Sequence, residues 1–146
     1  MSTPPASVPP TTSIEEAAQH MARAGVGALP VVDDDRVVGI VTDRDLVVRA
    51  MADGLSPQTR VEEVMSAAPV TVDPEAAVAV ALLVMRSARV RHLPVVAEGR
   101  LVGVVSFDDL FWQLTQQLSD LAAVVDAARK IPEPLRGGQQ APLPHG

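Results

Sequence analysis

Short aliphatic runs alternate with amphipathic stretches along this chain, and the same order occurs twice. Leu29–Val32 and Val37–Val41 are parted by Asp33-Asp-Asp-Arg36, and Leu93–Val96 and Leu101–Val105 by Ala97-Glu-Gly-Arg100. Runs of this length, bounded by turn residues, predict buried strands joined by hairpins. Asp33–Asp35 reads as an exposed turn rather than a calcium loop. Upstream, Ser13-Ile-Glu-Glu16 is a capping-box sequence that predicts a helix over 14–24, closed by Gly25 in a left-handed cap. Its counterpart is predicted over Glu75–Ser87, with Asp73 as N-cap, Pro74 at the first helical position and Val78, Leu82 and Met85 on one face. Ser7-Val8 and Val70-Thr-Val72 read as short strands before these helices. A helix is predicted after each hairpin, from Asp43 to about Ala52 and from Phe107 to about Arg129. Thr59-Arg-Val-Glu62 reads as a further capping box that starts a short turn through Met65. In the last helix Leu110, Leu114, Leu118, Leu121 and Val125 form a stripe at spacings of three and four, which reads either as packing against its own domain or, the favoured reading, as an outer part that supports a dimer.

The two halves are copies. Residues 1–46 align without a gap on residues 65–110, and 19 of the 46 positions are identical, where average usage predicts roughly three. Each copy reads strand–helix–strand–strand–helix, so the expected fold is α/β of the α+β kind: two βαββα repeats packed with pseudo-twofold symmetry. The expected organisation is repeat one with its linker over 1–58, repeat two with an extended C-terminal helix over 59–130, and a tail over 131–146. Gly39 and Gly103 fall at matching points inside the second strand of each hairpin. A glycine there marks close approach by a backbone or ligand, or tight core packing.

Composition narrows the function. Hydrophobic residues make up 47% of the 146, the net charge is −6 and the pI about 4.9. An acidic chain with two Phe, one Trp and no Tyr lacks the basic footprint and stacking platform of a nucleic-acid binder. The absence of cysteine removes disulfides, zinc–thiolate sites and thiol catalysis, and fits a cytoplasmic location. No apolar run is long enough for a membrane span, and the Pro-rich start does not read as a signal peptide. Four prolines and three glycines in the last 16 residues predict a disordered tail.

Taken in order, Val61-Glu-Glu-Val-Met65, Pro69-Val-Thr-Val72, the two apolar-Pro-Val-Val strands, Gly39-Ile-Val-Thr-Asp-Arg-Asp45 and Gly103-Val-Val-Ser-Phe-Asp-Asp109 resemble a tandem pair of cystathionine-β-synthase (CBS) domains, or Bateman module. The resemblance covers essentially residues 1–112. Gly27-Ala-Leu-Pro30 and Thr42-Asp-Arg-Asp-Leu46 are also similar to small stand-alone CBS-pair proteins of actinobacteria. The resemblance implies two clefts between the repeats that in many members bind AMP, ADP, ATP or S-adenosylmethionine, while other members bind nothing known.

The candidate site follows from this. Thr42 and Ser106 stand where a strand enters a helix, with Asp45 and Asp109 three residues on. A helix N-terminus offers free N–H groups to phosphate, a hydroxyl can donate to phosphate or ribose, and a carboxylate can accept both ribose hydroxyls. The same spacing is also a capping box, and both roles can hold together. Arg89, Arg91 and His92 replace Gly25, Gly27 and Ala28 of the first copy, and Asp108 replaces Arg44. The resemblance places Arg91 and His92 at positions where AMP-binding members carry basic residues, and Arg91 suits a phosphate bidentately. At most one strong phosphate site is therefore expected, centred on Arg91, His92, Ser106 and Asp109, with a weaker or empty one around Thr42 and Asp45. The adenine would be held by backbone groups of Pro94 and Val95 and by Thr71, or by Ser7 in the first copy, where the surrounding prolines weaken the strand.

No nucleophile–base pair, phosphate-binding loop or metal motif is present, so no enzyme is expected. The expected function is a regulatory ligand-sensing module that binds an adenosine nucleotide in the inter-repeat cleft, forms a homodimer and signals to an effector protein in trans. The alternative is a structural or stress-associated homodimer that binds no nucleotide, its Thr/Ser-x-x-Asp elements acting only as caps.

Overall fold

The computed structural model describes residues 5–129, so the expected tail over 131–146 lies outside the described residues. The chain divides into two compact units, 1–111 and 112–146.

In the first unit, helix α1 spans Ile14–Ala24. Ser13 Oγ accepts the Glu16 N–H at 3.1 Å and Glu16 Oε1 accepts the Ser13 N–H at 3.4 Å, closing the box that the sequence predicts. Gly25 ends the helix at φ 69°, with its N–H donating to the Met21 carbonyl. Strands β1 (Ala28–Asp33) and β2 (Arg36–Thr42) pair antiparallel. Asp34 and Asp35, at φ 54° and 68°, make the two-residue turn whose twist matches the flanking strands. A short strand β3 (Ser66–Ala67) adds to β2, with Gly39 opposite Ala67. The first turn after β2, α2 (Asp43–Asp45), runs on as a π-helical stretch over Leu46–Met51.

Repeat two follows the same plan with α3 (Val78–Ala88), the antiparallel pair β4 (His92–Ala97) and β5 (Arg100–Ser106), and α4 (Phe107–Arg129). The α+β fold expected from the duplicated pattern is the one observed. Ser7-Val8 and Val70–Val72 contribute single parallel bridges, Val8 to Val31 and Val72 to Val95, in place of longer strands.

Two local expectations are corrected. The second copy's helix starts at Val78 rather than Glu75. Asp73 Oδ1 accepts the Glu75 N–H at 2.8 Å and its carbonyl accepts the Ala76 N–H at 2.9 Å. Those bonds close a single isolated turn, and the helix begins only after it, with Ala77 in the N-cap position and no side-chain bond there. Thr59 likewise caps nothing, and the short 3-10 turn Val61–Glu63 has Arg60 at its N-cap. The Thr59 carbonyl accepts the Ile14 N–H at 2.8 Å and the Val61 N–H donates to the Thr12 carbonyl at 2.7 Å. This stitching to the start of α1 fixes the segment one residue out of the expected phase.

Each repeat has its own core. Ile14, Ala17 and Met21 of α1 pack with Leu29, Val31, Val41, Val61 and Val64 in the first, and Ala81, Met85, Leu93 and Leu110 pack together in the second. The matched glycines differ in role. A Cβ on Gly39 would overlap the Met65 side chain, so that glycine serves packing, whereas a Cβ on Gly103 meets nothing within 4 Å among the described residues.

The second unit is described only as the helix from Trp112 to Arg129. Leu118, Leu121 and Val125 of the predicted stripe are 56%, 59% and 49% exposed. No described helix is long and apolar enough to cross a membrane.

Candidate functional site

Two clefts lie in the first unit, and each draws on both repeats. The first, about 750 Å³, is lined by Thr42–Asp45 at the end of β2, by Ser66, Pro69 and Val70 of the linker, and by Ala88–His92 between α3 and β4. The second, about 500 Å³, is lined by Ser106, Asp108 and Asp109 after β5, by Pro5 and Ala6, and by Gly25–Ala28 between α1 and β1. Both fall in the range of small-molecule sites. Ten of the eleven positions that line the second cleft are first-cleft positions shifted by the repeat.

The single phosphate site expected around Arg91, His92, Ser106 and Asp109 is thereby divided. Arg91 lines the first cleft with Thr42 and Asp45, Ser106 and Asp109 line the second, and His92 lines both. The physical reason is the pseudo-twofold, which sets the strand-to-helix turn of one repeat against the helix-to-strand wall of the other. Thr71, Pro94 and Val95 line neither cleft. Pro94 is buried in β4, and its carbonyl already accepts the Val72 N–H at 3.0 Å. Ser7 lines neither cleft.

The two Thr/Ser-x-x-Asp turns are chemically distinct. Thr42 and Asp45 close a full capping box: Asp45 Oδ2 accepts the Thr42 N–H at 2.9 Å and Thr42 Oγ1 accepts the Asp45 N–H at 3.1 Å. The other carboxylate oxygen, Oδ1, stands 3.9 Å from Arg49 Nε. In the second copy Ser106 Oγ accepts the Asp109 N–H at 3.1 Å, but the Asp109 carboxylate makes no hydrogen bond or ion pair among the described residues. The capping role holds in both copies, and only Asp109 is left with both carboxylate oxygens unengaged.

Arginines concentrate on the first cleft. Arg89 follows α3 at φ 59°, ψ 43°, the left-handed conformation that Gly25 adopts after α1. Neither Arg89 nor Arg44 has a hydrogen bond or ion pair from its side chain among the described residues. Arg91 lies over the Phe107 ring, 4.5 Å from its centroid, and its Nη2 is 3.3 Å from Asp108 Oδ1. His92 is half-buried, and burial pushes its imidazole below the ordinary value. The nearby Arg91 charge acts the same way, while the carboxylates of Asp43, Asp108 and Asp109 pull against both.

A model of the CBS domain matches residues 1–51 and 61–115. The chain belongs to the CBS domain family. Hypoxic response protein 1 of Mycobacterium tuberculosis is 37% identical over 125 residues, 84% of this chain and 84% of that protein. Among solved structures, CBS domain protein PAE2072 from Pyrobaculum aerophilum, complexed with AMP, is 32% identical with a TM-score of 0.70, over 80% of this chain and 95% of that one. The CBS domain pair of protein MJ0100, in complex with 5'-methylthioadenosine and S-adenosyl-L-methionine, is 28% identical with a TM-score of 0.71, over 80% and 93%. The chain is thus a tandem CBS pair, as its repeat and motifs predict.

Arg89 and Arg44 are the cleft residues that sequence reasoning left out of the site. Arg89 carried a signal, since it stands where the first copy has a helix-ending glycine. Arg44 carried only its replacement by Asp108 in the second copy, because only the crossed pairing of the repeats brings it into the cleft with Arg89 and Arg91.

Proposed function

We propose that this CBS pair is a regulatory module that senses an adenosine nucleotide, bound in the first cleft, and passes the bound state to a partner protein. The observation that carries the reading is the wall Arg89-Val90-Arg91 facing the Thr42–Asp45 turn across about 750 Å³. Guanidinium groups suit phosphate oxygens, the Thr42 hydroxyl keeps a proton to donate, and the apolar side chains of Ile40, Val70 and Val90 offer a surface for a flat ring. AMP in PAE2072 and the adenosyl ligands in MJ0100 support the ligand class. Binding can shift the packing of the repeats only through unequal affinity for two arrangements. A homodimer is part of the proposal, supported by the exposed Leu118, Leu121 and Val125. Light scattering should then give twice the chain mass, and Leu121→Asp should lower it.

Melting in the presence of AMP, ADP, ATP or S-adenosylmethionine tests the reading. A ligand at 100 times its dissociation constant adds about 2.7 kcal/mol to stability. No shift with any of the four sinks nucleotide sensing and favours the second reading, a homodimer without nucleotide, for which the closed Thr42–Asp45 capping box already supplies a purely structural role.

A further inference from the structure

The two clefts share a plan but not a charge. We propose that the second cleft holds an adenosyl ligand without phosphates and with a positive charge, a sulfonium or an ammonium, alongside a phosphorylated ligand in the first. This rests on the adenosyl-binding reading above and adds the charge class of each occupant.

Three replacements carry the inference. Arg89 and Arg91 of the first cleft's wall become Gly25 and Gly27 in the second, and Arg44 on the facing turn becomes Asp108. Every arginine of the first cleft is therefore a glycine or an aspartate in the other. Among the described residues the second cleft is lined by Asp108 and Asp109 and by no Lys or Arg. His92 does not make up the deficit, because burial favours its neutral form. A Cβ on Gly27 would sit 3.0 Å from Asp43 Oδ2, so this wall has a third carboxylate behind it.

A phosphate placed there would face the two lining carboxylates, and the nearest guanidinium, that of Arg91, is already engaged by Asp108. A cationic ligand would gain from the same groups. Asp109 is free to take a ribose diol or the cation, since its carboxylate is not spent on the cap. Asp108 is held by Arg91 at 3.3 Å, but both side chains are largely exposed, at 87% and 67%, and such a pair is readily exchanged.

Calorimetric titration of the full chain with AMP and with S-adenosylmethionine, each alone and each with the other saturating, decides the matter. The expected result is one S-adenosylmethionine bound per chain in the presence of saturating AMP. Asp109→Asn should weaken S-adenosylmethionine at least fivefold more than it weakens AMP. Its cap survives, because that bond uses the backbone N–H, and a melt verifies folding. Displacement of one ligand by the other, or equal weakening of both, overturns the proposal. If AMP binds and S-adenosylmethionine does not, the charge assignment falls and the nucleotide reading stands. If S-adenosylmethionine alone binds and Asp109→Asn weakens it, the assignment stands and the nucleotide reading of the first cleft falls. Binding of neither overturns both.

Discussion

Replacing Arg89 with glycine should make this protein more stable and a poorer binder at once. Arg89 closes α3 at φ 59°, ψ 43°, where the first repeat uses Gly25 at φ 69°, ψ 33°. A side chain in the left-handed region costs about 1–2 kcal/mol, which glycine avoids. The bonds that end the helix run from the Arg89 N–H to the Arg86 and Met85 carbonyls, so the substitution keeps them. The exposed guanidinium makes no hydrogen bond or ion pair among the described residues, so little native interaction is lost. Glycine frees the unfolded chain and takes part of the gain back, leaving about 1 kcal/mol. For a chain of this size that is a rise of about 3–5 °C in melting temperature. In the nucleotide complex, one charge-assisted hydrogen bond at an exposed site is worth about 1.5 kcal/mol, or roughly a tenfold weaker dissociation constant for AMP. Differential scanning calorimetry with and without AMP reads both effects, and Arg89→Ala is the control. It removes the charge but keeps a Cβ in the left-handed region, so it should weaken AMP without raising the melting temperature. A lower melting temperature for Arg89→Gly, or AMP affinity within twofold of the parent, would refute the idea that backbone strain is tolerated here for the sake of a phosphate-binding side chain.

Gly39→Ala should cost about 1–3 kcal/mol by overpacking against Met65, while Gly103→Ala, with open space at the matching position among the described residues, should stay within about 0.5 kcal/mol of the parent; equal losses in urea melts would remove the packing explanation. Thr42→Ala breaks the side-chain half of a closed capping box and should cost about 1–2 kcal/mol, against about 0.5–1 for Ser106→Ala, where the carboxylate does not return the bond. Equal costs would show that the return bond contributes nothing. His92 should impose a pH dependence, since burial lowers its folded value from the ordinary 6.5. The unfolded chain takes up the proton first, so this contribution is complete above that ordinary value and is lost as pH falls from there through the folded value. Melting temperatures between pH 7.5 and 5 should therefore fall more steeply for the parent than for His92→Ala, and parallel profiles would contradict the assignment.

How much could be read from the chain alone depends on which kind of neighbour a residue answers to. Helix α1 was legible to the residue because Ser13, Glu16 and Gly25 act on backbone groups within one or two turns. Both hairpins were legible for the same reason: the turn residues Asp34-Asp35 and Glu98-Gly99 adopt the positive φ values such turns require. The start of α3 was not, because the bonds of Asp73 to Glu75 and Ala76 close one turn that ends before Val78, a break the helix pattern does not reveal. Thr59 was misread because the partner of its carbonyl, Ile14, lies more than forty residues away.

The site shows the same divide on a larger scale. The chemistry of its groups was legible, but their assembly was not. A sequence lists residues by repeat, so Arg91 reads together with Ser106 and Asp109. The pseudo-twofold pairs them across repeats, so Arg91 lines one cleft with Thr42 and Asp45, although its guanidinium also reaches Asp108 of its own repeat. This crossing has a consequence for how duplicated domains diverge. Charges gained by one repeat's helix-to-strand wall and by the other repeat's strand-to-helix turn fall in the same cleft. Arg89 and Arg91 come from the second copy and Arg44 from the first, yet all three line one cavity. Neither copy, taken alone, supplies all three arginines of that cleft. Only the pair does, and in a module whose cleft exists only between its halves, occupancy by a ligand would bear directly on how those halves are held together.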